Sequence, residues 1–202
     1  MTTPTPPTPQ PPLAAAPEPL FDGHDGLFLD ALHGVERYGE YGMGQSTRAV
    51  AQSTAARIQA VDTSLAWRDR VWADLDDAAR SRTSLLHVDL GPVGNWGFPK
   101  SYERRDAIPD YFAGPWILDF DPQLVLVDGR FRVACFLTCL LNATPGTRIL
   151  FDDYTERGYY HIVETLVAPK QVTARQALFE VPPGLDAAGI SKLLAQFSMV
   201  MD

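Results

Sequence analysis

The chain has 202 residues, of which 46% are hydrophobic and 21% charged, and a formal net charge of −8. That length suits one domain with a well-buried core and is marginal for two. The acidic balance repels phosphate backbones and anionic lipid, so neither nucleic acid nor a membrane surface is an expected partner.

Residues 1–20, MTTPTPPTPQPPLAAAPEPL, are saturated with proline. Proline removes backbone donors and fixes φ, so this segment is expected to be a disordered polyproline-like tail. A tether and a ligand for a proline-binding module are both compatible with it. Residues 21–202 are then expected to form a single domain. No Lys or Arg opens the chain and no run of about 18 apolar residues follows, so neither a signal peptide nor a membrane span is expected. Cys135 and Cys139 lie four apart in an apolar run, on one face of a helix, and are expected to be buried and reduced. A cytoplasmic location fits them.

Strand-like and helix-like segments alternate beyond the tail. Residues 25–33 predict a short amphipathic helix, and 34–41 a strand that is polar for its place, with Arg37, Gly39 and Glu40. A helix over 46–55 has Ser46 or Thr47 near its N-cap. The strand 57–61 runs into Asp62. A helix over 64–79 follows with Leu65, Trp67, Val71, Trp72 and Leu75, and then a third strand over 83–90. Residues 91–122 show no clear period but carry Trp96, Phe98, Tyr102, Tyr111, Phe112 and Trp116 among several prolines. So many aromatics argue against disorder, and so long a connection is usually functional. Two readings stay open: a fixed flap over a ligand pocket, with Lys100, Arg104 and Arg105 able to meet an anion, or a packed loop that shields the sheet. A strand over 123–127, a helix over 130–142 and a strand over 147–151 come next, with helix or loop to Glu164. Two final strands over 166–172 and 175–181 and a closing helix over 185–200 complete the chain. Such alternation predicts a doubly wound, mostly parallel α/β sheet whose ligand-bearing strand ends share one edge.

The stretch that carries chemistry is Glu40-Tyr41-Gly42-Met43-Gly44-Gln45-Ser46-Thr47. An acid ends a strand, two glycines let a ligand approach the backbone, and a helix N-terminus offers free N–H groups. Asp62 stands twenty residues after Gly42, where an acid can accept hydrogen bonds from ribose hydroxyls. The plain alternative is a tight strand-to-helix turn. A dinucleotide site is disfavoured, because Ser46 stands where a pyrophosphate-binding loop wants a later glycine.

E-Y-G-M-G-Q-S-T resembles the first motif of the class I S-adenosylmethionine-dependent methyltransferases. Val125 to Arg130, V-L-V-D-G-R, resembles their fourth motif, and Ile149 to Tyr154, I-L-F-D-D-Y, the end of their fifth strand. The likeness spans roughly residues 25 to 181 and is closest to small bacterial methyltransferase-like proteins of unassigned substrate. It implies a Rossmann-like, seven-stranded sheet with the last strand antiparallel, and S-adenosylmethionine as cofactor. It places Glu40, Gly42, Gly44 and Ser46 at the methionine end, Asp62 on the ribose, Asp89 near the adenine and Asp128 at the transferred methyl. The polar first strand and Ser46 depart from the family pattern. The superfamily also has members without cofactor, so a non-catalytic binding role is the alternative.

On the acceptor side, Asp128 can deprotonate or position a hydroxyl, or simply cap the helix after it. Asp153 and His161 are further candidate catalytic groups. Arg130, Tyr154 and Trp96 are candidate acceptor contacts, and Arg132 can grip an anion or lie in solvent. His87, inside a strand, reads as a satisfied core histidine. Asp128, Asp152 and Asp153 together suggest a divalent cation, but the wider ligand pattern is missing and no metal is assigned. The expected acceptor is a small molecule or a glycan precursor.

Overall fold

The computed structural model describes residues 19–202. The proline-rich tail therefore lies outside the described residues, apart from Pro19 and Leu20. Seven strands form one sheet: β1 (Arg37–Tyr41), β2 (Arg57–Asp62), β3 (Thr83–His87), β4 (Leu124–Val127), β5 (Arg148–Phe151), β6 (Gln171–Val172) and β7 (Ala177–Glu180). Their order is β3-β2-β1-β4-β5-β7-β6. The first five run parallel, and β7 is antiparallel to both β5 and β6. This is the Rossmann-like architecture the motifs implied.

Helices cover both faces. α1 (Gly26–Leu32), α2 (Gln45–Ser53), α3 (Leu65–Ala73) and α4 (Asp77–Arg80) supply a core with Tyr38, Ile58, Ala60, Leu124, Leu126 and Leu150. α5 (Ile108–Ala113), α6 (Arg132–Asn142) and α7 (Ala187–Phe197) pack on the other face, over Tyr41, Val61, Val125, Val127, Ile149 and Phe179. β4 reads L-V-L-V because it feeds both cores at once, as parallel strands buried on both faces do. α6 is buried almost all round, with the free thiols of Cys135 and Cys139 inside. Among the described residues, no helix is long and apolar enough to cross a membrane.

Three elements differ from expectation, the simplest being the strand expected over 166–172, of which only Gln171–Val172 pairs, as β6. The helix expected over 64–79 breaks into α3 and α4. Asp76 accepts a hydrogen bond from the Ala79 N–H and so starts a new helix, while Trp72 is left 40% exposed. The polar β1 is neither weak nor at an edge; it is the centre of the sheet, bonded to β2 and β4. Its polarity is local. Arg37 sits at the strand entry, and Gly39 is packed so closely against Pro115 and Pro122 that an added Cβ would stand 3.3 Å from them. Glu40 is buried but satisfied in part by α2.

The segment 91–122 is mostly a cover for the sheet. The Gln59 side chain donates to the Gly114 and Ile117 carbonyls, the Tyr41 hydroxyl donates to the Phe112 carbonyl, and Trp116 Nε1 donates to Tyr41 Oη. Gly114 lies flat on Val61, where a Cβ would fall 2.5 Å from the valine Cβ.

Candidate functional site

Strand order reverses between β1 and β4, and such switch points open a crevice at the carboxyl ends of parallel strands. The crevice here is built on the interlocked loops after β1 and β4. The Gly42 N–H donates to Val61 O at 2.8 Å and the Asp128 N–H to Tyr41 O at 3.0 Å, so the loop after β1 is tied to β2 and the loop after β4 to β1. Gly42 has φ +93°, and a Cβ there would lie 2.8 Å from Asp128 O and from Gly129 Cα. Gly129 is equally constrained: its Cβ would run into the Tyr111 hydroxyl and stand 2.8 Å from Gly42 N. Gly44 differs. Its backbone is extended, with φ −178°, and an added Cβ meets nothing within 4 Å.

Asp62 braces the glycine loop. Oδ2 accepts from Met43 N at 2.7 Å and Oδ1 from Ser64 N at 2.6 Å. Burial raises its carboxyl above the ordinary range, and the two amides oppose that. Each oxygen keeps a second acceptor direction, so hydroxyl donors from a ligand can still be taken.

A cavity of about 620 Å³ opens over these loops. Gly42, Met43, Gly44, Ser46, Asp62 and Thr63 form its floor, and Trp67 and Trp96 one rim. The indoles are near-parallel, with centroids 6.5 Å apart. Trp96 is 76% exposed and holds φ +56°, a strained value that clusters at functional sites. Its loop is pinned where the Thr63 hydroxyl donates to Gly97 O at 2.5 Å. Tyr111, Asp128, Gly129, Arg130, Arg132, Asp153, Arg157 and Arg175 make the opposite wall, and Pro19 to Asp22 strap one side.

Charges on that wall are tightly paired. Arg132 reaches Asp128 Oδ1 at 3.0 Å and Asp153 Oδ2 at 3.3 Å. Arg157 reaches Asp153 Oδ2 at 2.7 Å. Arg175 grips the fully buried Asp152 with two bonds of 2.9 and 2.7 Å, and also meets Asp153 and Asp22. Asp128, Asp152 and Asp153 do bring carboxylate oxygens within 4.8 Å of one another, but guanidinium groups occupy all three. A dication would have to displace those arginines.

No protein-family model and no curated protein sequence matches the chain. Solved structures do. A methyltransferase-like protein from Silicibacter pomeroyi is 30% identical, covers 94% of this chain and 98% of its own, and superposes with a TM-score of 0.78. The chain belongs to the class I S-adenosylmethionine-dependent methyltransferase superfamily. An RNA methyltransferase from Salinibacter ruber, solved with S-adenosyl-L-homocysteine, shares the fold at 12% identity and a TM-score of 0.52, covering 86% of this chain and 97% of its own.

Set in that methyltransferase frame, the expected site residues divide. Gly42, Gly44, Ser46, Asp62, Trp96, Asp128, Arg130 and Asp153 come together around the cavity. Glu40 stands behind the floor, 1% exposed, and holds the loop through the Ser46 hydroxyl. Ser46 is therefore a donor to Glu40 rather than a helix cap; the N-cap of α2 is Gly44, whose N–H donates to Thr47 Oγ1 at 3.1 Å. Asp89 is outside: it is exposed and paired with Arg104 at 2.7 Å. Tyr154 is buried, with its hydroxyl bonded to Glu164 at 2.7 Å, and His161 lies exposed against the Tyr154 ring. Neither lines the cavity. Lys100, Arg104 and Arg105 also point elsewhere, so only Trp96 and Tyr111 carry the 91–122 segment into the site. His87 is half-buried, with Nε2 3.2 Å from Thr63 O. Asp128 does not cap α6; Phe131 stands at that position in the left-handed conformation, and the Asp202 carboxylate accepts the Arg132 N–H at 2.7 Å.

The sequence did not single out Arg157, Arg175 or Gly129, named Tyr111 only among the aromatics of the 91–122 segment, and left Arg132 between an anion contact and solvent, where it is 3% exposed. Gly129 had a signal, lying inside V-D-G-R. The arginines had none, since their partners are fixed only by the fold.

Burial pushes the Glu40 carboxyl up to about 8, against the opposing hydrogen bonds of Ser46 and Thr47. The folded state then holds a proton that the unfolded chain releases near 4.5. Stability contributed by this group falls as pH climbs from about 4.5 to 8. Glu40→Gln is expected to flatten that decline, read as urea midpoints of both proteins at pH 5.5 and 8.5. Parallel declines would show that Glu40 is ionised throughout.

Proposed function

We propose that this chain is an S-adenosylmethionine-dependent methyltransferase acting on a small molecule or glycan precursor. The observation that carries the reading is the cavity itself. It is of ligand size, lies at the β1/β4 switch point and is floored by the glycine loop. Gly44 lets a ligand lie on the backbone, Gly42 lets the β4 loop close beneath it, Asp62 offers acceptor directions to a ribose, and Asp128 faces the cavity from the end of β4. The open space over Gly44 is room that any larger side chain would fill. S-adenosylmethionine supplies an electrophilic methyl group on a sulfonium. The protein's share is orientation and proximity, which can lower such barriers by roughly 7–11 kcal/mol in the best cases.

Asp128 is the group placed to take a proton from the acceptor. Its side chain is 29% exposed, and enclosure pushes its carboxyl up to about 7, with Arg132 opposing. A base with that value works near neutral pH. Methyl transfer is expected to rise with pH through about 7, as Asp128 loses its proton. Asp128→Asn is expected to abolish that rise and slow the reaction about 10²–10⁴-fold. An unaltered pH profile in the variant would assign the proton elsewhere. Asp153, bound by three guanidiniums, holds the arginine wall in place instead.

Calorimetry with S-adenosylhomocysteine tests the reading. At 100-fold excess over its dissociation constant a ligand adds about 2.7 kcal/mol of stability. For a domain of this size that is a rise in Tm of about 5–11 °C. Gly44→Val is expected to remove both heat and shift while leaving the fold intact. Absence of heat and shift in the wild type would overturn the reading.

A further inference from the structure

Four arginines stand on the cavity wall, and three are committed. Arg132 holds Asp128 and Asp153, Arg157 holds Asp153, and Arg175 holds Asp152, Asp153 and Asp22. Arg130 is different. Its backbone is pinned on both sides: its N–H donates to the Tyr111 hydroxyl at 3.0 Å, and its carbonyl accepts from Cys135 Sγ at 3.3 Å. Its side chain has no such anchor. Nε is enclosed without a hydrogen-bond acceptor, and the guanidinium makes no ion pair among the described residues.

The carboxylates nearest in charge are those of Asp62 and Asp202. Asp62 takes one amide on each oxygen, from Met43 and Ser64, and makes no ion pair with Arg130 among the described residues. Asp202 gives one oxygen to the Arg132 N–H, and its other oxygen is likewise unpartnered rather than turned onto Arg130. An enclosed donor without a partner destabilises the fold, so native structures keep few of them. A planar guanidinium fork left without a protein partner matches a carboxylate or phosphate bidentately.

We propose that Arg130 is the anion seat of the cavity, taking a carboxylate or phosphate carried by a molecule bound there. The inference rests on the methyltransferase reading for its choice of probes. Two sources share this chemistry: the amino-acid carboxylate of the cofactor, and an acidic group on the acceptor.

Wild type, Arg130→Gln and Arg130→Lys are titrated with S-adenosylhomocysteine, with 5′-methylthioadenosine, which has no carboxylate, and with inorganic phosphate. Phosphate is added both to the free protein and to the protein saturated with nucleoside. A charged hydrogen bond of about 1.5–3 kcal/mol corresponds to a loss of roughly 10- to 150-fold. If Arg130 seats the cofactor carboxylate, Arg130→Gln loses that much for S-adenosylhomocysteine and nothing for 5′-methylthioadenosine. If it seats the acceptor, both nucleosides bind the variant normally and phosphate affinity falls instead. Arg130→Lys recovers part of either loss. Equal affinities of wild type and Arg130→Gln for all three probes would overturn the assignment. Failure of wild type to bind either nucleoside would count against the methyltransferase reading alone, since the phosphate arm on the free protein still reports on Arg130.

Discussion

Arg175→Gln is expected to destabilise the protein by about 3–5 kcal/mol, the range seen when one partner of a buried ion pair is removed. Asp152 is fully buried, and Arg175 supplies two of the bonds to its carboxylate; only Gln176 Nε2, at 2.9 Å, would remain on its side-chain oxygens. Burial by itself would raise the Asp152 carboxyl, but the bonds from Arg175 and Gln176 outweigh it and hold the group below its ordinary value. The sign of the pH effect follows. A depressed acid stabilises the fold above its unfolded pKa, and that share is lost as pH falls through the folded value. The gap between wild type and Arg175→Gln is therefore expected to be widest near neutrality and to narrow in acid. Urea unfolding at pH 7 and at about pH 3, below the ordinary carboxylate value of 3.8, measures it. Asp152→Asn in the Arg175→Gln background is expected to recover part of the loss, because it removes the stranded charge. A single variant within about 1 kcal/mol of wild type at pH 7 would show that Arg132, whose Nη1 already bonds Asp152 O at 2.7 Å, can take over.

The contrast between what was legible and what was not follows sequence distance. The glycine loop, Asp62 and Asp128 were readable because each ends a strand whose apolar run or glycine punctuation is local. The sheet order followed from the alternation together with the resemblance. The arginine wall was not readable. Arg132 looks like any exposed residue on a first helical turn, and only the arrival of β5 beside β4 turns it inward onto Asp153. Asp89 erred for a related reason. It was expected at the end of the third strand, but β3 stops at His87, and the exposed carboxylate two residues on pairs with Arg104 of the long connection. The polar β1 misled in the opposite direction. Glu40 and Gly39 looked like weakness in a strand, yet one holds the loop through Ser46 and the other admits Pro115 and Pro122. Polarity at the centre of the sheet signalled packing partners, the nearby Ser46 for Glu40 and prolines about eighty residues away for Gly39.

Gly42→Ala is expected to be the most damaging single-carbon change in the floor of the site, at about 2–6 kcal/mol. Two effects combine. A φ of +93° is a conformation that a residue with a Cβ rarely adopts, and such strain amounts to about 1–3 kcal/mol. The new Cβ would also press on Asp128 O and Gly129 Cα at 2.8 Å, and overpacking of this kind adds about 1–3 kcal/mol. Backbone atoms cannot rotate away as a side chain can. The strain would pass into the β4 loop and move Asp128 and Gly129, which is itself locked against Tyr111. Gly42→Ala is therefore expected to lose affinity for S-adenosylhomocysteine as well as stability. Gly44→Ala separates the two effects. Its φ of −178° is open to any residue and its Cβ meets nothing, so stability is expected to stay within about 1 kcal/mol of wild type. Any loss of binding in Gly44→Ala then reports occupation of ligand space. Thermal unfolding of the two variants, with and without S-adenosylhomocysteine, decides the matter. If Gly42→Ala melts with the wild type, the crossing of the two loops is softer than the geometry requires, and Asp128 is not held in register by it.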